Sequence, residues 1–229
     1  MSPQSSEQTS TPDQKSAIRK TVIFIVIFIA VVMGLFVNRV LQGDARELSP
    51  KEMVSNGAIM FSVPREISPL QLIDQNGQPF THEQLIGKWT LVFFGFTHCP
   101  DICPTTLALF NQLSQQLVDT EIAKDTQYLL VSLDPGRDTP EVIKPYIEYF
   151  NPDFIGVTGE FLSIHRFAKQ LNVAFQKVVT DVASGEYTVD HGGNVAVINP
   201  NGFYQGFYKP PLDLDRMALT YKSLRISHR

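Results

Sequence analysis

From Thr21 to Val37 the chain reads TVIFIVIFIAVVMGLFV, seventeen consecutive residues without a charge. As a helix rising about 1.5 Å per residue, this run approaches the roughly 30 Å hydrocarbon core of a bilayer, and Val40 and Leu41 extend it. A cleaved signal peptide is the competing reading, but its apolar region is about 7–15 residues and ends in small residues. Here the run is longer, and Gly34–Arg39 (GLFVNR) offers no A-x-A cleavage site. The expectation is an uncleaved anchor over residues 21–41. Lys15, Arg19 and Lys20 precede it and Arg39, Arg46 and Lys51 follow, so the positive-inside count is nearly tied. The adjacent Arg19-Lys20 pair and the short tail favour residues 1–20 in the cytoplasm. That tail contains Glu7 and Asp13 and only three basic residues, a poor mitochondrial transit peptide. The reading is therefore a bacterial inner-membrane protein of a single pass with its main domain in the periplasm, where a cysteine pair can be oxidised.

Charge is unevenly divided. Residues 1–41 carry a net +2 and residues 42–229 a net −6, which leaves no electrostatic footprint for nucleic acid. Two cysteines in 229 residues exclude a disulfide scaffold and a four-cysteine zinc module. Residues 42–66, with Ser49-Pro50 and Val63-Pro64, read as a linker. Residues 67–229 suffice for one domain with a sizeable core.

Periodicity gives alternating strands and helices over that domain. Trp89–Gly95 and Tyr128–Leu133 are continuous apolar runs, as expected of buried central strands, with shorter strands at Leu70–Ile73 and Phe154–Val157. Helices are expected over Thr105–Val118, from Pro140 behind a Thr139 N-cap, over Glu160–Leu171 and over Leu212–Leu224. Two hairpins pair Phe175–Val179 with Glu186–Val189 and Asn194–Ile198 with Phe203–Tyr208. The fold class is α/β, a mixed sheet flanked by helices.

The chemistry concentrates in Gly95-Phe-Thr-His-Cys99-Pro-Asp-Ile-Cys103-Pro104, at the carboxyl end of the most apolar strand, where open α/β sheets tend to build their sites. Proline after each cysteine disfavours helix at both, so Cys99–Cys103 reads as a tight turn with the helix starting near Pro104. Cys103 would then lie at a helix N-terminus, whose free N–H groups favour a thiolate. Five residues are short enough for the sulfurs to close a disulfide or to clasp one soft metal. A purely structural disulfide there gains little, because the loop it closes is short.

Five histidines could complete such a site. His98 adjoins Cys99, but neighbours in an extended segment point in opposite directions. His82 and His165 read as surface residues of helical stretches, and His228 is in the tail. His191, in Val189-Asp-His-Gly-Gly-Asn194, sits in a glycine-rich bend between strands, equally balanced between a ligand and a solvated loop residue.

Phe94-Gly-Phe-Thr-His-Cys-Pro-Asp-Ile-Cys-Pro104, Ser132-Leu-Asp-Pro-Gly-Arg-Asp-Thr-Pro140 and Val189-Asp-His191, in that order, resemble the SCO/SenC family of copper-binding assembly factors for cytochrome c oxidase. The resemblance covers roughly Ser68 to Leu224, and a single N-terminal membrane helix is similar to the family plan. It implies a thioredoxin-like fold with an extra β-hairpin, matched here by Phe175–Val189. It also implies one copper, Cu(I) or Cu(II), held by Cys99, Cys103 and His191. Two thiolates suit Cu(I), an imidazole lets the site tolerate Cu(II), and binding weakens as pH falls. Asp134 and Asp138 follow a strand end near this loop, with turn and N-cap chemistry their first explanation.

What the resemblance implies is a metallochaperone rather than an enzyme, serving the CuA site of oxidase subunit II. Other periplasmic copper chaperones and thioredoxin-like reductants are further expected partners. A different class of function uses the same residues: a thiol–disulfide oxidoreductase with Cys99 and Cys103 as its redox-active disulfide, keeping the subunit II cysteines reduced. Against it stand the C-x-x-x-C spacing and the Gly-Gly-Asn preceding Val195–Ile198, where thioredoxins place a cis-proline. A peroxidase is weaker still, since Thr97-His98-Cys99 does not match T-x-x-C. A copper or redox sensor would look the same in sequence.

Overall fold

The computed structural model describes residues 12–41 and 46–228, with side chains for 18–37 and 46–228. The described chain divides after Arg46 into two units. The first is helix α1, Pro12–Leu41. Within it Ile18–Val37 has a mean hydropathy of 2.8 and no buried side chain, so it is long and apolar enough to cross a membrane. Residues 1–11 of the expected tail and 42–45 of the expected linker lie outside the described residues.

The second unit is the α/β domain. Its strands are β1 (Ala58–Arg65), β2 (Gln71–Asp74), β3 (Pro79–Thr81), β4 (Trp89–Gly95), β5 (Thr126–Ser132), β6 (Ile155–Thr158), β7 (Phe175–Asp181), β8 (Glu186–His191), β9 (Val195–Ile198) and β10 (Tyr204–Tyr208). Its helices are α2 (Pro50–Ser55), α3 (Ile102–Leu117), α4 (Pro140–Phe150), α5 (Phe161–Gln170) and α6 (Leu214–Ile226). Eight strands form one sheet in the order β1-β10-β9-β4-β5-β6-β2-β3, and β7 and β8 pair apart from it as the extra hairpin. Strands β4, β5 and β6 are parallel neighbours and the remaining pairs antiparallel. This is the thioredoxin-like mixed sheet with an added hairpin that the family resemblance implies.

All seven residues of β4 are buried, as a strand covered on both faces requires. Alternation divides its aromatics: Phe94 packs on Phe167 of α5 with ring centroids 5.5 Å apart, while Phe93 turns the other way, toward His191. Phe110, Phe154, Tyr204, Tyr208 and Tyr221, all buried, complete the core.

Residues 46–66 are not a linker. Ser49 caps α2 in a reciprocal box with Glu52, and β1 is an edge strand of the main sheet, with Ala58 opposite Tyr208 and Met60 opposite Gly206. The pairing slips between Met60 and Arg65, where Ser62-Val63-Pro64 bulges out, and this breaks the alternation that would have marked a strand. Two other boundaries bear on the site. Helix α3 begins at Ile102 rather than Pro104, and β8 continues through His191 rather than ending at Val189.

Candidate metal centre

Strand β4 ends at Gly95, and the chain turns through Phe96–Asp101 before α3 starts; the Cys99 N–H donates to the Phe96 carbonyl at 3.2 Å. Cys99 is half-buried. Cys103, the second residue of α3, is fully buried. It lies against Gly95, where a Cβ would come within 2.9 Å of the Cys103 sulfur, so only glycine leaves room for it.

His191 closes β8 opposite Phe175 at the base of the hairpin, its ring edge-on to Phe93 and Phe96 at 5.9 and 6.0 Å. Nδ1 lies 3.1 Å from the Gly192 carbonyl and Nε2 lies 3.8 Å from the Cys103 sulfur. A carbonyl only accepts, so the first contact puts the ring proton on Nδ1 and leaves the Nε2 lone pair facing the sulfur. Gly193 lets this segment close over the cysteine loop, because a Cβ there would meet Ile102 Cδ1 at 2.5 Å.

The ligand atoms of Cys99, Cys103 and His191 all lie within 4.8 Å of one another. Neither cysteine is in a disulfide. Burial pushes the Cys103 thiol up, aided by its contact with Cys99, and it outweighs a backbone hydrogen bond from Phe96 that acts the other way. This overturns the expectation that the helix N-terminus favours a thiolate there: desolvation of a sealed sulfur dominates. Burial likewise holds His191 below the ordinary imidazole value, against the opposing pull of Gly192 and Asp190. Two free cysteines and an imidazole kept neutral are a donor set that a soft metal ion can claim, displacing any thiol protons as it binds.

Asp138 is not the N-cap of α4; its N–H closes the turn that starts at Asp134, at 2.9 Å, but its carboxylate has a different task. Thr139 is the N-cap of α4, and Asp138 is fully buried beneath the cysteine loop. It accepts from the Thr97 N–H at 3.0 Å, the Thr97 hydroxyl at 2.6 Å and the Ser132 hydroxyl at 2.6 Å, fastening the start of the loop to the end of β5. Asp134 has a turn role, its carbonyl accepting from the N–H groups of Arg137 and Asp138. Its carboxylate pairs with Arg137 and accepts from the Tyr187 hydroxyl at 2.8 Å. The Arg137 guanidinium and the Lys177 ammonium both lie over the Tyr187 ring, 3.8 and 3.5 Å from its centroid, so the hairpin that carries His191 is pinned to this loop.

The other histidines stay apart from the cluster. His98 is exposed, with Nδ1 3.0 Å from the Thr97 hydroxyl. His165 is exposed and stacks on Phe161, and His228 is edge-on to Trp89. His82 is half-buried in a short 3-10 turn beneath Gly202 rather than at the surface.

The SCO1/SenC family model matches residues 62–224, which include all three residues of the cluster and both aspartates. The chain belongs to the SCO1/SenC family. A protein of Stutzerimonas stutzeri, provisionally named copper-binding, is 44% identical over 160 residues, covering 69% of this chain and 77% of its own length. An SCO2-like protein of Rickettsia prowazekii is 40% identical over 136 residues, 59% of this chain and 65% of that one. Among solved structures, copper-bound ScoI of Arabidopsis thaliana is 32% identical with a TM-score of 0.64, covering 69% of this chain and 98% of that one. Copper-bound ScoI of Bradyrhizobium japonicum is 33% identical with a TM-score of 0.59, covering 71% and 99%. The likeness to these structures extends to the mixed sheet flanked by helices.

Proposed function

We propose that this protein is a membrane-anchored copper chaperone that binds one copper through Cys99, Cys103 and His191 and serves assembly of the CuA site of cytochrome c oxidase subunit II. The observation that carries the reading is the convergence of two sulfurs and one imidazole nitrogen within 4.8 Å. The two copper-bound ScoI relatives support it. Two thiolates favour Cu(I), and the imidazole keeps the site competent for Cu(II). Cys99 and His191 are half-buried, and His191 borders an open depression of about 500 Å³ shared with Phe175 and Asp190. An acceptor thiolate can therefore reach the metal from that side and displace its ligands one at a time. Helix α1 would tether the domain to the bacterial inner membrane, with the site in the periplasm. The test is a deletion strain grown at limiting copper: CuA absorbance of the oxidase should fall, recover with the wild-type gene and stay low with Cys99→Ser. Normal CuA loading in the deletion strain would overturn the reading.

One observation favours a second reading, thiol–disulfide exchange. Cys99 is half-exposed above a buried Cys103, the asymmetry of an attacking and a resolving sulfur. Cys99 thiolate would attack a client disulfide, and Cys103 would then release the client as a dithiol, leaving Cys99–Cys103 oxidised. His191→Ala separates the two: it should abolish copper-dependent rescue and spare client reduction.

A further inference from the structure

The hairpin that presents His191 is a sheet of its own. Among the described residues β7 and β8 pair with each other and with no strand of the main sheet. Ladder hydrogen bonds therefore do not set its angle to the domain, and side chains must. Alternation puts Tyr187, Val189 and His191 on one face of β8. That face turns inward: Val189 is buried and the other two are half-buried, while Asp190 between them is exposed. Polar contacts fasten both ends of the stripe, His191 to Cys103 at one and Tyr187 to the loop of residues 134–138 at the other.

Arg137 supplies most of that second junction. Its Nη1 donates to the Tyr187 carbonyl at 3.2 Å, and its guanidinium lies over the Tyr187 ring. Its Nε pairs with Asp134, the carboxylate that accepts from the Tyr187 hydroxyl. Lys177, over the same ring, belongs to β7 itself, so Arg137 is the cation that joins hairpin to domain. The guanidinium also lies 5.9 Å from the centroid of Phe96, the ring set edge-on to His191 at 6.0 Å. One side chain thus touches both the strand that carries the imidazole and a ring that flanks it. Tyr187 and His191 are four residues of paired strand apart, roughly 13 Å, so a tilt of about 10° at the first moves the second by about 2 Å. Such a shift is large beside the 3.8 Å approach of Nε2 to the Cys103 sulfur.

We propose that Arg137 is a positioning residue of the copper site: it fixes the angle of the hairpin and so holds His191 where the imidazole completes the ligand set of Cys99 and Cys103. This inference rests on the copper reading above. Without the latch the hairpin samples angles at which only the two sulfurs are in place. Copper affinity then falls in proportion to the lost population of the three-ligand arrangement. Lysine is no substitute, because its point charge cannot donate to the Tyr187 carbonyl, pair with Asp134 and stack on the ring at once, as the planar guanidinium does.

The test is an anaerobic Cu(I) competition titration of the full-length protein in detergent, with Arg137→Met and Arg137→Lys each made in the wild-type and the His191→Ala backgrounds. Amide hydrogen exchange of the copper-free forms accompanies it. Both substitutions should weaken Cu(I) binding on the order of tenfold in the wild-type background. Neither should weaken it further once His191 is gone, the non-additivity of residues that act through one contact. In the copper-free protein the amides of β8 should exchange faster while those of β4 and α3 keep their wild-type rates, a pattern that general loss of stability does not give. Wild-type affinity in both variants, or an equal loss in the two backgrounds, would overturn the inference and leave the copper site standing. Faster exchange throughout β4 and α3 would overturn it too, making Arg137 a residue of overall stability. Absence of tight copper in the wild type would overturn the site and the inference together.

Discussion

Replacing Asp138 tests whether the cysteine loop is held from beneath. Asp138→Ala removes three accepted hydrogen bonds at a fully buried position. The Thr97 N–H is fixed by the backbone and would be left unsatisfied, at about 1–3 kcal/mol, and each hydroxyl loses a bond worth about 1 kcal/mol. The expected loss is roughly 3–5 kcal/mol, a large share of the stability of any domain. For a domain of this size it corresponds to a fall in Tm of roughly 10 °C. Asp138→Asn should cost far less. Its amide oxygen can take the place of Oδ2, keeping the Thr97 N–H and the Ser132 hydroxyl. Its NH2 would then face the Thr97 hydroxyl, which can turn to accept and redirect its own proton to His98 Nδ1, 3.0 Å away. Urea denaturation of the copper-free protein reads both variants. Equal losses in the two, or a loss below about 0.5 kcal/mol in Asp138→Ala, would refute the clamp.

Gly95→Ala should destabilise by about 1–3 kcal/mol through overpacking and weaken copper binding, because the new Cβ would press on the Cys103 sulfur and Phe93 at 2.9 Å each; unchanged stability by denaturation would contradict that packing. His191→Ala should leave Cys99 and Cys103 able to form a disulfide on oxidation, read by thiol counting, since the sulfurs converge through α3 and its loop rather than through the hairpin. Copper affinity should fall as pH falls. The Cys103 thiol is raised by burial and must lose a proton to bind, which gives at least about tenfold per pH unit between about pH 8 and 6. His191 is lowered by burial, so it adds its own proton competition only below the ordinary imidazole range. A flat affinity over that interval would mean that Cys103 is not a ligand.

The central strands were legible because β4 and β5 are unbroken apolar runs, and the hairpins because their turns carry Ser184-Gly185 and Asn199–Gly202. Strand β1 was not, since its bulge at Ser62-Val63-Pro64 and its distant partner β10 leave no local pattern. The cysteine pair stood out through spacing and flanking prolines. His191 did not stand out by pattern, because what selects it is the 3.8 Å approach across the hairpin, a contact between residues 88 apart. Asp138 read as turn chemistry because its neighbours are Thr139 and Pro140; its partners Thr97 and Ser132 become visible only when β4 and β5 lie side by side. Tyr187 gave no sequence signal, being one more aromatic in a strand.

The most direct measurement is an anaerobic Cu(I) competition titration of the reduced full-length protein in detergent, beside His191→Ala, Cys99→Ser and Cys103→Ser. One tightly bound copper per chain is predicted, weakened by loss of His191 and abolished by loss of either sulfur. Tight binding that survives a cysteine substitution, or no tight binding in the wild type, would contradict the two-thiolate, one-imidazole site.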